Sequence, residues 1–152
     1  MSEFSRISEL LGAYGRGLGF DDFAFGDDDA FAFDAGEDTI VNLCWREEPQ
    51  TLVAWAVVGA APEDDAEAAG FCRRALAANF NGQGTDGLSL ALLRNPAAPR
   101  GVFIVQDRRE AAFFVDEAQF ADYITTIVHV VRSLRNPAVD GETVPGQLVI
   151  WP

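Results

Sequence analysis

The stretch IVNLCWREEPQTLVAWAVV, residues 40–58, decides the fold. Val41, Leu43 and Trp45 alternate along one face of a strand that runs from Ile40 to Arg46. Residues 47–50 turn the chain back into a second strand, 51–58. No helix separates the two strands, so the pattern predicts a hairpin and not a strand–helix–strand unit. The second strand is apolar on both faces, which predicts that something covers each face.

Upstream of this stretch, the spacing predicts one helix and one further hairpin. Apolar residues recur at three- and four-residue steps from Phe4 to Leu18, with Ser2 as the expected N-cap and glycines at the end. Alternating phenylalanines in 23–25 and 30–33 flank a Gly/Asp cluster, which is typical of a short hairpin.

Downstream, the sequence predicts two more helices around further strands. A proline followed by three acids opens a helix at Pro62 that runs to about Phe80, before Asn81-Gly82. Strands are expected at 88–93 and 102–106, joined by a proline-containing connection at 94–101, and residues 110–115 are expected to add a short extended piece. A capping-box pattern at 116–119 opens a final helix to about Arg135.

The strands fall in hairpin-like clusters, which favours an α+β fold. The predicted domain is an antiparallel, twisted sheet of about five to six strands with three helices, in the order α-β-β-β-α-β-β-α. It covers residues 1–135. Residues 136–152 are predicted to form a C-terminal tail whose apolar end, 144–152, docks on its own domain or on a partner.

Composition limits the classes of partner. The chain of 152 residues is 49% hydrophobic and carries a net charge of −13, and all its basic residues are arginines. Such a charge repels phosphate backbones and anionic membranes, so neither nucleic acid nor a membrane is an expected partner. Cys44 and Cys72 have no metal-site spacing and are expected to be buried thiols in a reducing compartment. Because the N-terminus lacks signal-peptide features, the expected location is cytoplasmic.

The sequence offers no catalytic arrangement. Residues 82–87 match GxGxxG, but a helix precedes them and a strand follows, the reverse of a nucleotide-binding turn. The single histidine, His129, has no acid nearby in a triad-like pattern, and the acids at 27–29 lack the spacing of a calcium loop. We therefore expect no enzyme activity, no cofactor and no metal.

What remains is more apolar sheet surface than three helices cover easily. The surplus has three interpretations: core on both faces, a dimer interface, or a groove for an extended peptide that adds to a sheet edge.

Four segments in this order resemble the class I type III secretion effector chaperones, a Tir-chaperone-like family. They are Leu10–Phe20, Phe25–Asp34, Leu76–Phe80 and Leu88–Leu92 with Gly101-Val102. The resemblance covers about residues 4–135. The connection at 94–101 is long for the family, and the tail has no counterpart in it.

The resemblance implies a non-catalytic homodimer that binds an extended segment of a secreted effector protein over hydrophobic patches. The dimer interface that it implies contains Phe71, Ala75, Leu76, Leu90 and Leu92. The partner-binding patch that it implies contains Phe23, Phe25, Phe31, Phe33 and Leu43. The alternative is a regulatory or sensory domain of the same fold that binds a regulator protein or a small ligand.

Overall fold

The structure is a computed structural model, and it describes residues 1–82 and 84–135. The elements in chain order are α1 (Glu3–Gly17), β1 (Ala30–Asp34), β2 (Ile40–Arg46), β3 (Thr51–Ala60), α2 (Asp65–Asn81), β4 (Ser89–Asn95), β5 (Ala98–Glu110), a short 3₁₀ helix (Ala111–Phe113) and α3 (Glu117–Arg135).

The five strands form one antiparallel sheet in the order β1-β2-β3-β5-β4. The α+β class, the three helices and the element order predicted from the sequence are confirmed. β1 and β4 are the two edge strands, and the hairpin of residues 40–58 supplies β2 and β3 next to β1.

The predicted hairpin between 23–25 and 30–33 is wrong. Only residues 30–34 form a strand, and this strand pairs with β2, with Phe31 opposite Leu43. Residues 23–25 form no strand, although the Gly26 N–H donates to the Ala30 carbonyl oxygen at 2.9 Å and closes a turn. The physical reason is that Phe23 packs on helix α1, so side-chain contacts and not sheet hydrogen bonds hold this segment.

The second hairpin also differs from its prediction. β4 and β5 extend through most of the expected connection at 94–101, and Asn95 pairs with Ala98 across a tight turn. Residues 111–113 form a 3₁₀ helix where an extended piece was expected.

Local capping explains where the helices begin and end. The Ser2 and Asp64 side chains accept from the N–H groups of Ser5 and Glu67, and Asp116 accepts from Gln119 at 2.8 Å. α2 therefore begins at Asp65, three residues after the proline that was expected to open it. Gly82 ends this helix in the left-handed conformation, with φ of 67°.

All three helices cover the same face of the sheet. The core joins side chains of α1, α2 and α3 to alternate residues of the strands, including Val41, Leu43 and Trp45. The opposite face, which we call the outer face, carries Val53, Trp55 and Val57, and none of these belongs to the core cluster. Within residues 1–82 and 84–135 the helices cover one face of β3 only, and the expectation that something covers the other face stays a prediction.

Both cysteines are free and half-buried, so the expectation of fully buried thiols is corrected. The predicted tail, residues 136–152, lies outside the described residues.

Candidate functional site

An open groove runs between the end of α1, the segment after it, β1 and α3. Its volume is about 480 Å³, and aromatic rings form much of its wall. The lining residues are Tyr14, Leu18, Phe20, Phe23, Phe33, Asp34, Ala35, Gly36, Thr125, Val128 and Arg132.

Phe23 occupies the centre of the aromatic wall because α1 presents a glycine to it. A Cβ at position 15 would lie 2.6 Å from both Cβ and Cγ of Phe23. Only glycine therefore allows the ring to lie against the helix.

Around Phe23 the rings form a continuous network. Its centroid lies 4.8 Å from that of Phe31, 5.2 Å from that of Phe33 and 5.3 Å from the stacked ring of Phe20. Tyr14 joins the network from α1, 5.8 Å from Phe33, and partial burial raises the pKa of its phenol. These separations are typical of favourable aromatic pairs, so the wall is preformed.

The structure brings together three of the five residues predicted to bind a partner, Phe23, Phe31 and Phe33, and of these Phe23 and Phe33 line the groove. Phe23, Phe25 and Phe31 are half-buried and Phe33 is buried at the base, whereas Leu43 is 1% exposed and lies in the core beneath them. Phe25 lies to one side, 5.7 Å from Phe4. Their role in binding stays a prediction.

Sequence reasoning missed the two most exposed apolar side chains of the groove. Leu18 is 51% exposed and Phe20 is 52% exposed. The available signal was their position, since large apolar residues in a glycine-rich stretch just after a helix have no element of their own to bury them.

The two edges of the sheet differ. On β4, the Asn79 side chain of α2 accepts from the Leu90 N–H at 2.6 Å and donates to the Leu90 carbonyl oxygen at 2.8 Å. These two bonds occupy the backbone groups that an added strand would need at that position. On β1 the backbone groups of Ala30 are occupied in the same way, by the Gly26 N–H at 2.9 Å and the Asp28 carboxylate at 3.3 Å. The difference is that the β1 edge borders the aromatic groove.

Charged groups border one end of the groove. Arg132 donates to the Ala35 carbonyl oxygen at 2.9 Å and lies 3.1 Å from the Glu37 carboxylate. These contacts fix the turn between β1 and β2 against α3.

The five residues predicted to form the dimer interface also divide into buried and exposed ones. Phe71, Ala75 and Leu90 are buried in the core of their own protomer, and Leu92 is half-buried against it. Leu76 is 69% exposed, as is expected of an interface residue. Phe80, which sequence reasoning did not select, is 93% exposed on the same helix.

Three further features of the described residues concern metal binding, membrane insertion and a buried titratable group. Within residues 1–82 and 84–135, no group of three histidine, cysteine or acidic side chains is arranged to hold a metal ion. None of the described helices has the length and apolarity needed to cross a membrane. A buried phenol at Tyr123 has a raised pKa, first because of burial and then because of the Asp107 carboxylate, but it lies in the interior between α3 and the sheet.

The fold is shared with solved structures at low sequence identity. A chain of the ExsC–ExsE complex matches with a TM-score of 0.74 and 15% identity, covering 93% of this chain and 100% of that chain. A chain of the HopA1–SchA chaperone–effector complex matches with a TM-score of 0.64 and 14% identity, covering 88% and 94%.

The Yersinia pestis type III secretion chaperone SycH, solved with a fragment of YscM2, gives a TM-score of 0.58 at 18% identity, covering 84% of this chain and 98% of the matched chain. No curated protein sequence matches the chain. Residues 9–135 match the model of the Tir chaperone protein (CesT) family. The resemblance seen in the sequence is thus confirmed, and the chain belongs to the Tir chaperone protein (CesT) family of type III secretion chaperones.

Proposed function

We propose that the protein binds an extended segment of a secreted effector as a cytoplasmic homodimer. Membership in the family makes it a non-catalytic chaperone of type III secretion. The extended form of the bound segment, its contact residues and the dimer are the parts that we add.

The observation that carries the proposal is a preformed aromatic groove beside an edge strand of the sheet, β1. An extended peptide can pair its backbone with β1 while its apolar side chains enter the groove. Because the groove is lined by residues of β1 and by none of β4, β1 is the edge we assign to strand addition.

Energetics favour the half-exposed rings over the core residues as partner contacts. Leu18 and Phe20 are already about half-exposed in the free protein, so a partner gains their burial without opening the core. Burying a large apolar side chain contributes about 1.5–3 kcal/mol when it goes from full exposure to full burial. Two half-exposed side chains of this kind can together contribute about one such increment per protomer.

The test is co-expression with the products of neighbouring genes, followed by purification through a tag on the chaperone. Phe20→Asp should abolish or strongly weaken capture while the protein still folds, because the ring is already half-exposed. Val115→Asp is the matched control, because Val115 is 75% exposed and lies outside the groove. Equal capture by both variants would contradict the assignment of the groove.

Strand addition has its own readout. Hydrogen exchange of the backbone amides in β1 should slow when the partner binds, whereas exchange in β4 should not change. Protection confined to β4, or absent from both edges, would contradict the assignment of β1.

Dimerisation is supported by the exposed stripe on α2. Leu76 and Phe80 lie four residues apart, so they share one helix face. A two-fold axis would bring this stripe against its own copy and bury side chains that are 69% and 93% exposed in the protomer. Light scattering coupled to size exclusion should give twice 16.5 kDa for the native chain and 16.5 kDa for Phe80→Asp. A monomeric native protein at micromolar concentration would refute this part of the proposal.

A further inference from the structure

The outer face of the sheet is divided into an apolar half and a polar half. Across the apolar half, Val57 pairs with Ile104 and Ile104 pairs with Ala91. Val41 of β2 pairs with Ala56 of β3. Ile40, the residue before Val41, therefore lies opposite Val57 and extends the same row. Leu93, opposite Val102, extends the apolar surface on the side of β4.

The polar half lies further along the strands. There Asn42 pairs with Trp55, which pairs with Gln106, and Ser89 pairs with Gln106 from the other side. Arg108 follows, opposite Val53. Trp55 therefore stands at the boundary between the two halves.

The apolar half is accessible at several points. Ile40 is 46% exposed and Leu93 is 37% exposed, and Trp55 and Val57 are half-buried. Ile104 is buried, yet it does not belong to the core that the helices cover.

α3 ends at the edge of this apolar half. The Arg135 guanidinium donates to the carbonyl oxygens of Val57 at 2.6 Å and Val58 at 2.8 Å. It also donates to the Thr39 hydroxyl at 3.1 Å, next to Ile40. The last described residue therefore lies within one arginine side-chain length of the backbone at Val57 and of Thr39, the neighbour of Ile40.

We propose that the tail, residues 136–152, passes around this end of the sheet and packs its apolar end, 144–152, on the apolar half of the outer face. Residues 144–152, VPGQLVIWP, carry no charged side chain, so they match a surface without charge.

The lengths agree with this path. Residues 136–143 can span about 26 Å when extended, at roughly 3.3 Å per residue. Packed sheet layers lie about 10 Å apart, so this length is enough to pass from the helix side to the outer face. The row from Ile40 to Ala91 crosses four strands, about 14 Å, which an extended segment of 144–152 can cover.

The test uses the indole N–H signals of the full-length protein in ¹H–¹⁵N spectra. The chain has three tryptophans: Trp45 in the core, Trp55 on the outer face and Trp151 in the tail. Leu148→Asp should shift the Trp55 signal and leave the Trp45 signal unchanged, since Trp45 lies on the helix side and donates to Glu47 at 2.8 Å. Val139→Asp is the matched control, because it adds the same charge to the tail outside its apolar end, and it should leave both signals unchanged.

A reciprocal variant tests the surface itself. Ile40→Asp should shift the Trp151 signal in the same direction as Leu148→Asp does, and leave the Trp45 signal in place. These measurements need no effector, so their outcome is independent of the proposed function.

Three results would overturn the proposal. The Trp55 signal could be unaffected by Leu148→Asp. It could move with protein concentration instead, which would assign the outer face to a second copy of the chain. Or the Trp45 signal could be lost together with that of Trp55, which would make the tail part of the core.

Discussion

Replacing Gly15 by alanine tests whether the aromatic groove is built as described. Within a helix, alanine is favoured over glycine by up to about 1 kcal/mol, and Gly15 and Gly17 both belong to the last turn of α1. At position 15, however, the added Cβ would lie 2.6 Å from Cβ and Cγ of Phe23, so the ring must leave its place. Such overpacking costs about 1–3 kcal/mol.

The matched control is Gly17→Ala. Gly17 belongs to the same helix, and a Cβ there meets nothing within 4 Å. The difference in the free energy of unfolding between the two variants should therefore be about 1–3 kcal/mol, with Gly15→Ala the less stable. Urea unfolding measures this difference, since both variants change the same residue type in the same helix.

Phe23 also supports Phe20, whose ring stacks on it at 5.3 Å. Gly15→Ala should consequently weaken partner capture, whereas Gly17→Ala should not. If Gly15→Ala is as stable as Gly17→Ala and captures the partner equally well, the position assigned to Phe23 is wrong.

Two further predictions concern the β4 edge and the interior. Asn79→Ala removes both bonds to the Leu90 backbone and should cost about 1–3 kcal/mol in urea unfolding, because each such bond contributes about 0.5–1.5 kcal/mol. Asn79→Asp, which sets a carboxylate oxygen against the Leu90 carbonyl oxygen, should also lower the stability, and an unchanged stability would contradict a role for the donating bond. Stability should also fall as the pH rises above about 10, where the tyrosines of the unfolded chain ionise. The folded state raises the pKa of Tyr123, so at this pH its phenol keeps the proton in the folded protein but loses it in the unfolded chain. Because unfolding then releases a proton, the free energy of unfolding falls as the pH rises. Tyr123→Phe should remove most of this loss of stability between about pH 9 and about pH 11. Tyr14→Phe, at a half-buried site, should remove less of it. A native-like pH dependence of stability in Tyr123→Phe would contradict the prediction.

The fold could be predicted because the signals that determine it are local. The alternation in residues 40–58 and the caps at Ser2 and Asp116 depend on neighbours in sequence, and the structure has these elements where they were expected. The prediction of a hairpin at 23–33 failed because alternating phenylalanines occur both in strands and in segments whose rings pack on a helix. Gly15, about ten residues away, decides between the two, and no local pattern reports that contact.

The candidate site was harder to predict for a related reason. Sequence patterns identify apolar residues, but they do not show which of them remain exposed after the helices pack. Leu43 and Phe31 face each other across paired strands, yet the first is in the core and the second is half-buried beside Phe23. Phe71 and Leu76 lie on the same helix, yet Phe71 is 1% exposed and Leu76 is 69% exposed. Tertiary packing makes these distinctions.

The surplus of apolar residues divides into three surfaces whose construction suits different occupants. The groove has aromatic side walls and lies beside an edge strand, which suit an extended chain. The α2 stripe has two protruding side chains and no backbone groups to offer, which suits a self-complementary contact. The apolar half of the outer face is a row across four strands, and it begins where α3 ends. Because none of the residues proposed for one surface belongs to another, the variants should act separately. Phe20→Asp should change capture without changing mass, Phe80→Asp should change mass without shifting the Trp55 signal, and Leu148→Asp should shift that signal without changing mass.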